Sequence, residues 1–174
     1  MPTSPLAAAL EGVFGEVAEG LAGRVLRQRR QRLQGGAVVA AEPEEWTEAL
    51  RAYGYNFGMA FQIVDDILDF TGDEAEMGKP VGSDLMQGTL TLPSLLLIER
   101  RPQDNPVHEY FEQPREELLA EAVQAIRGSD IPQESYEMAR GFCAAALEAL
   151  SALPEDPARQ ALRDLTEYAL ERRS

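Results

Sequence analysis

Three aspartates and a glutamine lie close together in one apolar stretch of the sequence, residues 61–70. Asp65, Asp66 and Asp69 occupy positions i, i+1 and i+4, and Gln62 precedes the first of them by three residues. At about 100° per residue of a helix, Asp69 lies roughly 40° and Asp66 roughly 100° from Asp65, with Gln62 between them. Apolar side chains fill the rest of the circumference, so the pattern predicts a buried helix with one narrow carboxylate patch.

This carboxylate patch favours a hard divalent cation. The aspartates stand in the last turns of the predicted helix, where the negative end of the helix dipole opposes them. No Lys or Arg stands three or four residues from any of them. Oxygen ligands at these spacings suit Mg²⁺, with waters and a substrate phosphate completing its shell. Two alternatives stay open, a solvated acidic helix end and carboxylates paired with arginines from other helices.

A glycine-containing loop follows, and it carries the only lysine of the chain. Residues 78–84 read Gly-Lys-Pro-Val-Gly-Ser-Asp, so Lys79 stands ten residues beyond Asp69. Backbone N–H groups of such a loop can reach a phosphate together with the lysine. Next to the aspartates, Lys79 is therefore expected to bind phosphate; without them it would be interpreted as a solvated loop lysine.

Helices are expected to position these residues, because Ala, Leu, Glu and Arg dominate and no convincing stretch alternates as a strand would. The predicted helices cover residues 5–33, 43–70, 91–100, 113–127, 133–152 and 155–173. Residues 71–88 are predicted to form a long functional loop, and a proline-rich turn is expected through Pro106. The expected fold class is all-α, a helical bundle.

The composition and net charge of the chain argue against several classes of function. With 174 residues, 44% of them apolar and 26% charged, the chain is expected to form one globular domain. The net charge of −14 argues against nucleic-acid binding and against a polybasic membrane patch. One cysteine and one histidine exclude a disulfide framework and a His/Cys metal site. No apolar run is long enough to span a membrane, the start does not resemble a signal peptide, and a cytoplasmic setting is expected.

Residues 45–101 resemble the second half of the trans-polyprenyl (isoprenyl) diphosphate synthase family. The matching residues are Tyr55-Asn56-x-Gly58-x-Ala60-Phe61-Gln62, Asp65-Asp66-x-x-Asp69, Gly78-Lys79-Pro80-x-Gly82-x-Asp84-Leu85 and Thr91-Leu92-Pro93. Residues 133–173 resemble the last helices of the family more loosely, and the resemblance fades before about residue 43. The resemblance implies a single partial domain over 1–174 with the C-terminal part of the isoprenoid synthase fold. Within it, 1–42 is a poorly matched helix, 43–101 carries the metal and diphosphate site, and 102–174 forms the C-terminal helices.

The resemblance implies a prenyltransferase of isoprenoid biosynthesis that condenses an allylic diphosphate with isopentenyl diphosphate with Mg²⁺ assistance. It implies that Asp65, Asp66 and Asp69 hold the Mg²⁺, and that Lys79 contacts the allylic diphosphate. Asp65, Asp66 and Lys79 are accordingly the expected catalytic residues. The expected substrate-binding residues are Phe61, Gln62, Lys79 and Asp84.

The sequence also departs from the family pattern. No first Asp-rich motif is found upstream, and Thr89 stands where many members have a second lysine. The chain is therefore interpreted as a truncated or separately encoded half, expected to form a homodimer or to associate with a complementary half. One alternative is a non-catalytic helical partner or regulatory subunit of a complete synthase, and another is an acidic helical module that binds Ca²⁺.

Three other features are interpreted as structural. Five arginines between residues 24 and 32 form the only basic cluster, which is taken as a solvated helix face or an interface rather than a nucleic-acid site. His108 has no serine or cysteine nearby in sequence, so a catalytic role is not expected. Cys143 stands in an apolar helix and is interpreted as a small core residue.

Overall fold

The structure is a computed structural model that describes residues 43–171, without the side chains of Glu76 and Met77. This part of the chain consists of eight α-helices, one 3₁₀ turn and their connections, with no strand. The helices are α1 Glu44–Thr71, α2 Glu74–Met77, α3 Ser83–Met86, α4 Leu92–Arg100, α5 Pro106–Glu112, α6 Glu116–Arg127, α7 Ile131–Ala149 and α8 Pro157–Glu171, with the 3₁₀ turn at Leu150–Ala152. The predicted all-α fold is confirmed for these residues, and the predicted helix 5–33 with its arginine cluster lies outside them.

The described residues belong to two compact units. One contains residues 43–59 and 144–163, and the other contains residues 60–143 and 164–171. All predicted site residues belong to the second unit. Within the described residues no helix is long and apolar enough to cross a membrane.

Helix α1 begins where the sequence predicts it. The carbonyl of Pro43 accepts the first hydrogen bonds of the helix, from the backbone N–H groups of Trp46 and Thr47. Glu44 and Glu45 occupy the first turn, where negative charge is favourable. The helix runs for 28 residues to Thr71, one residue beyond its predicted end.

In the first unit, Tyr53 is the central buried side chain. Its ring has no exposed surface and stacks on Phe57 at a centroid distance of 5.7 Å. Its hydroxyl donates a hydrogen bond of 2.9 Å to the carbonyl of Leu162. A buried tyrosine hydroxyl is thus paired, as its desolvation requires.

In the second unit, helices α4, α5 and α6 pack against one another. Asn105 joins the first two of these helices: its side-chain amide donates to the carbonyls of Leu97 and Arg101, and its oxygen accepts from the N–H of Val107. The core of this unit is built from large buried apolar side chains. They include Ile63, Ile67, Phe70, Leu85, Leu92, Leu96, Val107, Ile126 and Ile131.

The structure corrects two sequence expectations. Pro106 begins helix α5 instead of ending a turn, because Asn105 caps the helix and a proline in the first turn has no N–H to lose. His108 therefore lies on a helix, where its side chain is exposed. The predicted loop 71–88 contains the short helices α2 and α3, so it is more regular than a long open connection.

Candidate metal and phosphate site

Asp66 is a buried carboxylate near the end of helix α1. Only 7% of the residue is exposed. The side-chain amide of Gln62, one turn earlier, donates to its Oδ1 at 2.9 Å. The prediction that Gln62 shares the face of the aspartates is therefore confirmed by a direct contact. A buried carboxylate with a neutral partner keeps most of the cost of its desolvation.

The cost of this desolvation appears as a raised pKa of Asp66. Burial is the largest cause that raises its pKa, to about 7 from 3.8, and the negative charges of Asp84 and Asp65 raise it further. The hydrogen bond from Gln62 and a backbone hydrogen bond from Leu92 act in the opposite direction. Near neutral pH this carboxyl group is therefore poised between its charged and neutral forms, and a nearby cation would favour the charged form.

Asp69 has a different environment from Asp66. It has no exposed surface, and its Oδ1 accepts from the Lys79 ammonium at 2.7 Å and from the Ser83 hydroxyl at 2.6 Å. Its Oδ2 accepts from the N–H of Asp84 at 3.1 Å, and its backbone carbonyl accepts from the N–H of Gly82 at 2.8 Å. We call Asp69, Lys79 and Ser83 the Asp69 anchor. These three donors fix the orientation of the Asp69 carboxylate against the loop, and the expected role of Asp69 as a metal ligand stays a prediction.

Lys79 joins the Asp69 anchor to the solvent-facing side of the site. Its side chain is 41% exposed, and one bond of its ammonium is directed at Asp69. Partial burial lowers the pKa of Lys79, but the hydrogen bond and charge of Asp69, with the charges of Asp84 and Asp65, raise it overall. The ammonium is therefore charged at neutral pH. Two of its three donors remain for another acceptor.

Asp84 is the third acidic side chain of this region. Its pKa is raised, chiefly by burial and then by the charges of Asp69 and Asp65, while Lys79 acts to lower it. We call Asp65, Asp66 and Asp84 the acidic site, because the charges of Asp65 and Asp84 act on Asp66 and the charge of Asp65 also acts on Asp84. Asp65 is half-buried. The structure thus brings Asp84 to the predicted aspartates from a loop that lies 15 residues beyond Asp69.

Two residues hold the loop against the helix that carries the acidic site. Gly82 has a φ of +75°, and a Cβ at this position would stand 3.1 Å from side-chain atoms of both Leu119 and Val123. The backbone conformation therefore favours glycine, and a Cβ would also need the Leu119 and Val123 side chains to shift by a few tenths of an ångström. Arg127 of α6 donates through Nε to the carbonyl of Phe70 and through Nη2 to that of Gly72, the latter at 3.0 Å. This guanidinium places a positive charge at the negative end of α1.

The acidic site fits a cation that keeps part of its own hydration shell. No group of three His, Cys, Asp or Glu side chains that could hold a metal ion is found among the described residues. Mg²⁺ does not need such a group, since proteins bind it through one or two carboxylates together with waters and phosphate oxygens. The half-buried carboxylate of Asp65 and the buried carboxylate of Asp66, which repel each other, match that requirement, and in the ionised form both act purely as acceptors.

A groove of about 520 Å³ lies elsewhere in this unit, and it contains none of the predicted site residues. Its lining includes Glu74, Val81, Leu119, Val123 and Arg127. The groove is therefore not the predicted site.

Phe61, the remaining predicted site residue, is half-buried and stands one residue before Gln62 on α1.

Ser83 and Arg127 are the residues that sequence reasoning missed. Ser83 occupies an unspecified position of the Gly78–Asp84 motif, and only its hydroxyl between a glycine and an aspartate could have drawn attention to it. Arg127 stands in the last turn of its own helix, where a basic residue is usual, so nothing in the sequence indicates that it caps another helix.

Comparison with known proteins identifies the family of this chain. A sequence model of the family described as Polyprenyl synthetase matches residues 30–126. The chain belongs to this family. It is 39% identical over 133 residues to the heptaprenyl diphosphate synthase component 2 of Geobacillus stearothermophilus and 38% identical over 139 residues to the chloroplastic solanesyl diphosphate synthase 1 of Arabidopsis thaliana. These alignments cover 76% and 80% of this chain.

Solved structures show the same fold. The heptaprenyl diphosphate synthase of Staphylococcus aureus matches with a TM-score of 0.78 and 32% identity, over 88% of this chain and 50% of that one. A polyprenyl synthase of Caulobacter crescentus, crystallised with calcium and isoprenyl diphosphate, matches with a TM-score of 0.73 and 28% identity, over 98% of this chain and 60% of that one. The predicted isoprenoid synthase fold is therefore confirmed.

The chain is short relative to these proteins. The alignments cover 42% of the Geobacillus protein and 34% of the Arabidopsis protein. The Bacillus subtilis heptaprenyl diphosphate synthase component 2, which is 35% identical, is covered over 38% of its length. The chain thus spans well under half the length of these relatives.

Proposed function

We propose that this chain is the metal- and diphosphate-binding half of a polyprenyl diphosphate synthase, one that condenses an allylic diphosphate with isopentenyl diphosphate. The observation that carries the proposal is Asp66, a buried carboxylate influenced by the charges of Asp65 and Asp84, both of which also act on the Lys79 ammonium. Carboxylates that repel one another in a buried setting are stabilised by a bound cation, and a lysine beside them suits the phosphate that accompanies it.

In this proposal Asp65 and Asp66 hold Mg²⁺, and Asp69 holds the loop. When bound, the metal would neutralise the diphosphate and make it a better leaving group. Gln62 keeps the Asp66 carboxylate in one orientation through its 2.9 Å hydrogen bond. Lys79 donates its two remaining N–H bonds to the diphosphate, while its third stays on Asp69.

The remaining predicted site residues have supporting roles. Asp84 places a further negative charge near Asp66 and Lys79, which favours both a metal ion and a charged ammonium. Phe61 belongs to the apolar surface of α1 beside Gln62, where we assign it to the wall that faces the prenyl chain. Apolar surroundings of this kind exclude water from a reactive carbocation.

A complementary chain is part of the proposal. No first Asp-rich motif is present in these 174 residues, so the proposed site needs further metal ligands and an isopentenyl diphosphate pocket from outside them. The names of two relatives, heptaprenyl diphosphate synthase component 2, describe proteins that are one component of a synthase. We therefore expect association with a complementary synthase half or a second copy, and a cytoplasmic location as the low cysteine content suggests.

The binding step can be tested without turnover. We expect calorimetry to show that Mg²⁺ and a non-hydrolysable allylic diphosphate analogue bind together, each tightening the binding of the other. The Asp65→Ala/Asp66→Ala double variant should lose this linkage. The Asp130→Ala variant, which removes an exposed carboxylate of the same unit, should keep it. Absence of linked binding by the native chain would contradict the proposal.

A regulatory role is the second candidate function, and it is supported by the names of two relatives, heptaprenyl diphosphate synthase component 2, which describe one component of a synthase. In that case the chain would bind and stabilise a complete polyprenyl synthase without supplying its metal site. Activity of such a complex distinguishes the two functions. A catalytic half requires intact Asp65 and Asp66 for activity, whereas a regulatory subunit would act equally well with both replaced by alanine.

A further inference from the structure

One oxygen atom of Asp69 is shared by two donors of different kinds. The Ser83 hydroxyl donates to Oδ1 at 2.6 Å, and the Lys79 ammonium donates to the same atom at 2.7 Å. Asp69 has no exposed surface, and Ser83 is only 7% exposed. A hydroxyl has a single proton, so that of Ser83 is committed to this carboxylate.

The two donors restrain each other. Oδ1 can accept both only along separate directions, which leaves the ammonium one approach to Asp69. A lysine head on its flexible four-carbon stem otherwise has many orientations. Loss of the Ser83 hydroxyl would leave the ammonium as the sole donor to Oδ1, free to move towards the carboxylate and away from the exposed side.

We propose that Ser83 is a positioning residue, which acts through Asp69 to fix where the Lys79 ammonium stands and thereby improves the binding of a diphosphate. The inference rests on the proposed function and goes beyond the family motif, in which position 83 is unspecified. Ser83 itself does not contact the diphosphate in this arrangement.

The chain offers a matched control. Ser135 is buried like Ser83, with no exposed surface, but its hydroxyl donates to the carbonyl of Ile131 in its own helix, at 2.8 Å. Ser135→Ala therefore removes a buried hydroxyl of the same unit without touching the Asp69 anchor. Its effects measure what loss of any buried serine hydroxyl does to stability.

The first measurement needs no ligand. Because Lys79 is the only lysine, a chain labelled with ¹⁵N at the lysine side chain gives one Nζ resonance. Ser83→Ala should move or broaden this resonance, since the ammonium loses its fixed approach to Asp69. Ser135→Ala should leave it unchanged. An Nζ resonance that is the same in Ser83→Ala as in the native chain would overturn the proposal, whatever the chain binds.

The second measurement is the affinity for inorganic pyrophosphate in the presence of Mg²⁺. Ser83→Ala should weaken it by about fivefold, as expected for one charge-assisted hydrogen bond acting indirectly. In a Lys79→Met background the same substitution should change the affinity by less than about twofold, because its effect passes through Lys79. Equal weakening in both backgrounds, or none in the native one, would contradict a positioning role.

These measurements separate the two proposals. If the native chain binds no pyrophosphate with Mg²⁺ while Ser83→Ala still changes the Nζ resonance, the proposed function fails and Ser83 is only a loop anchor, which also overturns its role in diphosphate binding. If native binding is found and the resonance does not respond to Ser83→Ala, the proposed function stands and the positioning role is wrong.

Discussion

Two clusters of acidic side chains in the second unit have carboxyl pKa values that are shifted in opposite directions. In one, the Arg100 guanidinium at the end of α4 pairs with both Asp130 and Glu134 at the start of α7. We call these three residues the Arg100 cluster. The hydrogen bond from Arg100 is the main cause that lowers the pKa of Asp130. In the acidic site, burial and neighbouring carboxylates instead raise the pKa of Asp66, to about 7.

The two groups differ in the partners of their carboxylates: Asp130 pairs with a guanidinium, whereas Asp66 accepts from the neutral amide of Gln62. The Arg100 cluster contains two acids and a guanidinium that donates to both, so it needs nothing further. In the acidic site the nearby Lys79 ammonium already donates to a fourth carboxylate, that of Asp69. Within the part of the chain that the structure describes, no cation is among the groups that shift the pKa of Asp66, so an added divalent ion would stabilise its charged form.

The largest expected effect is on Mg²⁺-dependent pyrophosphate binding, when one carboxylate is removed from the acidic site and one from the Arg100 cluster. Asp66→Ala should weaken Mg²⁺-dependent pyrophosphate binding by more than about tenfold, because it removes a proposed metal ligand. Asp130→Ala should leave that affinity unchanged. Isothermal titration of both variants checks this, and similar affinities in the two would refute the distinction between the groups.

The pH dependence of stability should expose the raised pKa of Asp66. The folded chain retains a proton that the unfolded chain releases, so the stability contributed by this group falls as pH rises from about 4 to about 7. The Asp66→Asn side chain does not titrate, so the variant does not lose this stability. Between about pH 4 and about pH 7 its free energy of unfolding should therefore rise relative to that of the native chain, by at most on the order of 4 kcal/mol for a shift of about three pKa units.

Urea unfolding at about pH 4 and about pH 8, without divalent ions, measures this gain. Addition of Mg²⁺ at the higher pH should then stabilise the native chain more than Asp66→Asn, because binding to the folded state shifts the unfolding equilibrium. A difference between the two proteins that is independent of pH would show that Asp66 titrates normally.

Replacement of Lys79 or Arg100 by a neutral side chain should also lower the stability of the chain by unequal amounts. Lys79→Met leaves the buried Asp69 carboxylate without its charged partner, and we expect a loss of about 2 kcal/mol, reduced from the value for a fully buried pair because Lys79 is partly exposed. Arg100→Met should cost less, since its partners can turn to water. Denaturant unfolding of both variants compares them, and a larger loss for Arg100→Met would reverse the comparison.

The smallest expected effect is that of salt on the stability of the Lys79→Met and Arg100→Met variants. At about 1 M NaCl the Debye length is about 3 Å, so the exposed pairs of the Arg100 cluster are screened and Arg100→Met should match the native chain. The effect of Lys79→Met should persist, because Asp69 has no exposed surface. Unfolding midpoints at low and high salt test this, and equal salt sensitivity would argue that Asp69 is solvated.

The sequence predicts the long helix and its aspartates well because the signals are local. Pro43 with the following acids marks the start of α1, and the apolar circumference of residues 61–70 predicts its burial. Helix α5 is not predicted, because Pro106 in a proline-rich segment is typical of a turn, although Asn105 before it is a good helix cap. The two local signals compete, and the cap decides the structure.

The role of Asp69 could not be predicted in this way. A helical wheel places Asp69 beside Asp65, but it contains no information about the loop that folds back onto the helix. Ser83 and the N–H of Asp84 reach Asp69 from 14 and 15 residues away. Contacts of this kind depend on the turn at Gly82 and on the side chains of α6 behind it, which only the folded structure brings together.

The single thiol of the chain provides a natural probe of opening between α7 and α8. Cys143 is 2% exposed, its S–H donates to the carbonyl of Thr166 at 3.8 Å, and burial raises its pKa to about 11. An alkylating reagent at neutral pH therefore meets neither an accessible sulfur nor a thiolate while the helices stay together. The rate at which Cys143 is labelled should consequently report how often this helix pair separates, without any engineered cysteine.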